Sequence, residues 1–203
     1  MRNTSLYIFL AFFYFTNNLS IFTESAQPIA SNNSTNFIKS SCRSTRYPTL
    51  CIKSLSSYAT KIQQNETQLA QAAIQVTFNV AQSTTTFVSK LAKAKGIKPR
   101  EFQAIKDCTN NMAGSLNQLS RSIVEMGRVA GQDLMRMDNV QTWISTALTA
   151  ENTCLDGFSG DFMNGNIKVA VTRRVIYVSQ ITSNALALIN RYAARHKAAA
   201  TPS

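Results

Sequence analysis

From about residue 66 onward the chain repeats one pattern, an apolar residue every three or four positions with polar residues between. That spacing matches the 3.6-residue turn of an α-helix, whereas a strand would alternate every second residue. The first segment of this kind runs from about Glu66 to Lys95, with Leu69, Ala73, Val76, Val80, Phe87 and Leu91 on one face. Lys90, Lys93 and Lys95 fall in its final turns, where cations suit the negative end of the helix dipole. Gly96 stops it, and Pro99 opens the next helix, because proline fits a first turn.

The second segment, about Arg100 to Arg128, aligns Phe102, Ile105, Met112, Leu116, Leu119, Ile123 and Met126, and contains Cys108. A mixed connection, Gly127 to Met137, includes Gly131 and Asp133. The third segment is expected over Asn139–Phe158, with Asp138 as its N-cap. Val140, Ile144, Ala147 and Cys154 share its apolar face, and Trp143 beside them reads as core. Gly157, Gly160 and Gly165 break it. The fourth, about Lys168 to Ala194, carries Val171, Val175, Val178, Ile181, Ala185, Leu188 and Tyr192 in one stripe. Amphipathic helices joined by short connections predict an all-α, up-and-down four-helix bundle. Ahead of them, Phe37-Ile38 and Leu50, Ile52 and Leu55 suggest short helices on either side of a break at Pro48.

The N-terminus sets the compartment. Arg2 precedes an almost unbroken apolar run, Leu6 to Phe15, followed by small and polar residues at Thr23 to Ala26. A run of about ten apolar residues falls well short of the ~20 that span a bilayer. Residues 1–26 therefore read as a cleaved secretory signal, 27–36 as a flexible leader, 37–194 as the folded domain and 195–203 as a disordered tail. No later stretch is apolar enough for a membrane helix. The sequons at Asn32, Asn33 and Asn65 agree with secretion, the first two overlapping so that one glycan at most fits there.

In an oxidising compartment an even cysteine count reads as a disulfide framework, and Cys42, Cys51, Cys108 and Cys154 all follow the signal. Four cysteines allow three pairings. A local Cys42–Cys51 loop around Tyr47-Pro48 is the economical one and leaves Cys108 with Cys154, an arrangement compatible with adjacent antiparallel helices. The other pairings stay open on spacing alone. A zinc site has little to work with, since His196 is the only histidine and falls in the polar tail.

The formal charge of +11 survives signal removal, because Arg2 and Glu24 leave together. A basic secreted protein attracts polyanions, and in a cell wall these are acidic polysaccharides. Nucleic acid fits less well, since no Arg/Lys cluster interleaved with aromatics occurs. No phosphate-binding glycine loop, metalloprotease motif or nucleophile elbow is present, and no cofactor is implied. Asp107, Asp156 and Asp161 read as helix-end or surface carboxylates, not as an acid–base pair. The methionines at 112, 126, 135 and 137 read as gap-fillers or loop residues. Composition and spacing thus end at a secreted helical bundle, not an enzyme, whose partner they leave unnamed.

Several stretches narrow this. Phe37 to Cys51 (FIKSSCRSTRYPTLC), Asp107-Cys108, Val140 to Thr149 (VQTWISTALT), Thr153 to Phe158 (TCLDGF) and Ser183 to Leu188 (SNALAL) together resemble the plant invertase and pectin methylesterase inhibitor family over Phe37–Ala194. The resemblance implies a four-helix bundle with an N-terminal helical hairpin. It also implies disulfides from first to second and third to fourth cysteine. Its functional implication is extracellular, apoplastic inhibition through a noncovalent 1:1 cap over the active-site cleft of a cell-wall enzyme. Invertase inhibitors typically carry Pro-Lys-Phe before the fourth cysteine, and Gly127 to Val140 has none. Val140–Thr149 instead resembles the pectin methylesterase inhibitor branch, and the chain ends at Ser203 with no catalytic domain. Relatives often place an acid two positions after the third cysteine, where this chain has Asn110, and without charge its help to the on-rate should fall. No fifth cysteine is present.

The expected function is inhibition of pectin methylesterase through the solvent face of the second and third helices, at Asn110, Asn117, Thr149 and Asp156. The alternatives are an inhibitor of acid invertase and a basic wall protein that binds acidic pectin directly.

Overall fold

The described residues of the computed structural model are 29–129, 134–160, 163 and 165–200. The expected signal at 1–26 lies outside them, as do Gly131, Asp133, Asp161 and residues 201–203. An N-terminal hairpin is built from α1 (Ile29–Cys42) and α2 (Pro48–Leu55), followed by a 3₁₀ turn (Ser56–Tyr58) and the short α3 (Ala59–Ile62). The long helices are α4 (Glu66–Leu91), α5 (Pro99–Arg128), α6 (Leu134–Asp156) and α7 (Asn166–Ala200). Each long helix packs on the next in sequence, and α7 closes back on α4. The expected all-α up-and-down bundle with an N-terminal helical hairpin is the observed fold, and the cysteines pair as Cys42–Cys51 and Cys108–Cys154.

Local chemistry accounts for the helix ends. Asn65 precedes α4 in extended backbone, and its Oδ1 accepts the Gln68 N–H at 3.0 Å, satisfying one of the orphan donors of the first turn. Gly96 adopts φ +74°, a left-handed conformation that a side chain disfavours, and turns the chain toward α5. Pro99 then starts α5, and Glu101 reaches back to accept the Lys98 N–H at 3.0 Å.

Four boundaries differ from expectation. α4 ends at Leu91 and not Lys95, so of the three lysines only Lys90 lies in its last turn, and Lys93 and Lys95 fall in the turns that follow. The leader is helical from Ile29, because Ser34, Ile38 and Cys42 form an i, i+4, i+8 stripe that is buried along its length. α6 begins at Leu134 instead of Asn139, since Met137 is already a core residue at 1 % exposure. Asp138 therefore sits inside the helix, paired with Lys197 at 2.9 Å, and is no N-cap. The expected tail continues α7 to Ala200. Alanine, arginine and lysine are strong helix formers, and Arg195 pairs with Glu66 at the start of α4. His196 is thus a helix residue with its ring 4.1 Å from that of Tyr192.

The core divides along the bundle axis. Met112, Leu119, Phe158, Val175 and Val178 fill the part around Cys108–Cys154. Ile74, Met126, Met137, Ile144 and Ile189 fill another part. The hairpin and α3 press Ile38, Leu55 and Ile62 onto Leu69, Ala73, Ile181 and Leu188, and so lean on α4 and α7. Of the methionines, 112, 126 and 137 are gap-fillers in the core, while Met135 is 78 % exposed. No helix among the described residues is long and apolar enough to cross a membrane.

One side chain clasps the hairpin to the bundle. Asn184 of α7 is buried; its Oδ1 accepts the Tyr47 N–H at 3.0 Å and its Nδ2 donates to the Tyr47 carbonyl at 2.9 Å. A single amide thereby satisfies both backbone groups of the residue that precedes α2. Replacing Asn184 with alanine orphans the Tyr47 N–H in a part-buried site, at an expected cost of about 2 kcal/mol. Denaturant midpoints measure it, and Asn184→Asp, which sets a carboxylate oxygen against the buried Tyr47 carbonyl in place of the donor, should cost at least as much.

Candidate functional site

The candidate contact face is built on α5 and α6. Their antiparallel register is pinned at Cys108–Cys154, whose Cα atoms are 4.3 Å apart, at the Ser115–Glu151 hydrogen bond and at Arg121, stacked 4.1 Å above the Trp143 ring. Trp143, expected in the core, is instead half-buried. It stands one position before the stripe residue Ile144, about 100° around the helix, and so emerges at the edge of the seam.

All four expected contact residues are exposed. Asn110 and Asn117 lie seven positions apart on α5, and Thr149 and Asp156 seven apart on α6, so each pair shares a helix face. Asn110 and Asp156 each follow a bonded cysteine by two residues, which turns them about 200° away from the core. Because the helices run oppositely, these two side chains step away from the disulfide in opposite directions. Around Asn110 and Asn117 the α5 surface exposes Ala113 and Gly114, giving a low relief. The α6 surface is a ladder of hydroxyls turned onto their own backbone. Thr142 donates to Asp138 O, Thr146 to Thr142 O, Thr149 to Ser145 O and Thr153 to Thr149 O, at 2.8–3.1 Å. Such side chains lose little freedom when a partner covers them.

Sequence reasoning missed the most perturbed group beneath this face. Glu151 is 0 % exposed, and only its Oε1 is served, by Ser115 Oγ at 2.7 Å and Thr182 Oγ1 at 3.0 Å. Oε2 has no hydrogen-bond partner among the described residues. Burial raises the carboxyl pKa to about 7 against the smaller lowering from the two hydroxyls. Thr182 Oγ1 also lies 3.0 Å from Val178 O and has one proton to give. A protonated Oε1 resolves the conflict: it accepts from Ser115 and donates to Thr182, which then donates to Val178. The signal was available, since Glu151 falls on the same three-four stripe as Ile144, Ala147, Cys154 and Phe158.

None of this is hydrolytic machinery. Among the described residues no cluster of His, Cys, Asp and Glu is suited to a metal ion. Glu151 is sealed from solvent, and Asp107 is exposed and bonded to Gln103 at 2.9 Å. The arrangement can present a preorganised surface of mixed charge and small net charge to another protein.

Comparison with known proteins agrees in kind. The profile of the family described as plant invertase/pectin methylesterase inhibitor matches residues 36–188. The chain is 48 % identical over 165 residues to a 21 kDa protein of Daucus carota, covering 79 % of this chain and 86 % of that one. It is 46 % identical over 183 residues to pectinesterase inhibitor 9 of Arabidopsis thaliana, covering 87 % and 90 %. In fold it is similar to the crystal structure of a mutant form of a pectin methylesterase inhibitor from Arabidopsis, with a TM-score of 0.60, 21 % identity, and coverage of 73 % of this chain and 92 % of that one.

Proposed function

The chain belongs to the plant invertase/pectin methylesterase inhibitor family, and from that premise we propose that it is a secreted inhibitor of pectin methylesterase. The family is one of inhibitors, and the chain is not an enzyme. The observation that carries the choice of target is its 46 % identity to a pectinesterase inhibitor over most of both chains. In this reading the protein acts in the apoplast as a noncovalent 1:1 cap on the enzyme's cleft and limits de-esterification of wall pectin. Residues 1–26 are removed as the signal, and the domain assigned to 37–194 does the work with α1 reaching back to Ile29.

The low relief and short, pre-bonded side chains of the α5–α6 face support its role as the contact surface, with Asn110, Asn117, Thr149 and Asp156 toward the enzyme. Asn65 is exposed and caps α4 with Oδ1, which leaves its Nδ2 for a glycan. Asn32 and Asn33 are exposed on α1 as the alternative acceptors.

The test is a titration of purified pectin methylesterase, with acid invertase in parallel, using the oxidised, signal-free protein. Inhibition of the first should reach an end-point at one equivalent. An end-point with invertase alone would transfer the reading to the other target, and none with either would end it. Asp156→Ala and Asn117→Ala are each expected to weaken inhibition about tenfold, the cost of a contact near 1.4 kcal/mol. Asn110→Asp, by restoring a charge, should speed association at low salt with little change in dissociation.

A further inference from the structure

Charge is unevenly distributed around the bundle. α4 and α7, packed side by side, carry seven Lys and Arg against one acid, Glu66 at the start of α4. α5 and α6 carry five cations against six acids. No Asp or Glu occurs from Thr67 to Arg100 or after Asp161. The molecule therefore presents a basic side opposite the nearly neutral contact face.

On that basic side an open groove of about 620 Å³ separates α4 from α7, lined by Asn79, Ser83, Arg173, Arg174, Tyr177 and Gln180 among others. It continues along α4 past Gln82 and Thr86 to Lys90. Its lining holds no carboxylate. The Arg174 guanidinium lies 3.8 Å above the Phe87 ring, which holds it in place. Tyr177 and Ile176 are each 43 % exposed beside it, and Val169 one turn before Arg173 is 64 % exposed.

We propose that this groove binds a carboxylated polysaccharide, specifically a de-esterified uronate chain. The chemistry of the lining matches that ligand group by group. Guanidinium forks take carboxylates in bidentate pairs. The half-exposed tyrosine ring offers an apolar face to sugar C–H groups. The amides of Asn79 and Gln180 and the Ser83 hydroxyl both donate and accept, as ring hydroxyls require. The choice of a uronate chain rests on the proposed target, since hydrolysing a methyl ester leaves a carboxylate on the polymer. An inhibitor with this groove would accumulate where its enzyme has already acted. The groove and the α5–α6 face point to opposite sides, so polymer and enzyme can be held together.

The test is calorimetric titration of the oxidised, signal-free protein with an unesterified oligogalacturonate and with its fully methyl-esterified counterpart of equal length. The unesterified oligomer should bind at least about tenfold more tightly, and its affinity should fall as salt rises from about 20 to about 200 mM. Arg173→Ala/Arg174→Ala should lose about tenfold in affinity, and Arg173→Lys/Arg174→Lys should lose less. Arg43→Ala/Lys61→Ala removes equal charge from exposed positions in the hairpin turn and α3 and should change little. Retained thermal unfolding in each variant separates lost binding from lost fold. The proposal is overturned if the native protein does not bind, if both oligomers bind alike, or if the two alanine variants weaken binding equally. Loss of pectin methylesterase inhibition in Arg173→Ala/Arg174→Ala would also overturn it, by placing the groove against the enzyme. Inhibition is assayed separately on the native protein. If inhibition is absent there while selective oligomer binding persists, the inhibitor reading fails and the groove assignment stands.

Discussion

Replacing Cys108 and Cys154 together with alanine is expected to lower the unfolding free energy by about 4 kcal/mol. The bond closes a 46-residue loop, and by chain-entropy arithmetic a loop of that length restricts the unfolded chain by roughly that amount. Cys42–Cys51 closes only nine residues, so Cys42→Ala/Cys51→Ala should cost less, about 2.5 kcal/mol. Alanine is the right substitute because all four positions are at most 1 % exposed, where a serine hydroxyl would be orphaned. Denaturant midpoints of the two double variants give the comparison. Equal losses, or a greater loss from the hairpin pair, would show that packing rather than loop length sets the values.

The second large effect is a fall in stability as pH rises through the weakly acidic range. Glu151 titrates at its ordinary 4.5 when unfolded and at about 7 when folded. Below pH 4.5 both states hold the proton and the native state pays nothing for this residue. Between 4.5 and 7 the unfolded chain releases the proton while the folded one keeps it, so folding is progressively disfavoured. Above about 7 the loss is complete, at roughly 3 kcal/mol. For a domain of this size that is a drop on the order of 10 °C in the unfolding midpoint. Glu151→Gln keeps the shape and cannot ionise, so the difference between native and variant should change by that amount between pH 4.5 and 7.5. Parallel curves would show that the carboxylate ionises in the core without penalty. Other carboxylates titrate in both proteins and cancel in the difference.

The bundle was legible in the sequence because its stripes are long and regular. Leu69 to Leu91 and Val171 to Tyr192 repeat at helical spacing with too few breaks to suggest anything else. The ends were less legible. Met137 reads as part of a loop because Gly127, Gly131 and Asp133 interrupt the pattern ahead of it, although Leu134, Met137, Val140 and Ile144 already step at helical spacing and Met137 is core. The segment after Ala194 looked frayed because a short basic run is ambiguous. Its partners Glu66 and Asp138 lie 129 and 59 residues away and cannot be seen locally. Glu151 was hidden by its type, since a carboxylate on an apolar stripe reads as an interruption until Ser115 and Thr182 are found facing it. The exposed positions of Asn110, Asn117, Thr149 and Asp156 followed from helical phase. The α4–α7 groove did not, because it needs two helices separated by about a hundred residues in sequence to be placed side by side.

The order of the two disulfides along the chain has a consequence for biosynthesis. Each joins the next available cysteine, so neither loop encloses or interleaves with the other. On the proposed secretory route the chain enters an oxidising compartment N-terminus first and presents Cys42 and Cys51 before Cys108 has emerged, so the hairpin can close at once. Cys108 then has only Cys154 left to find. The earliest partner is the right one at each step, so the cysteines can be oxidised in order of synthesis without reshuffling by an isomerase.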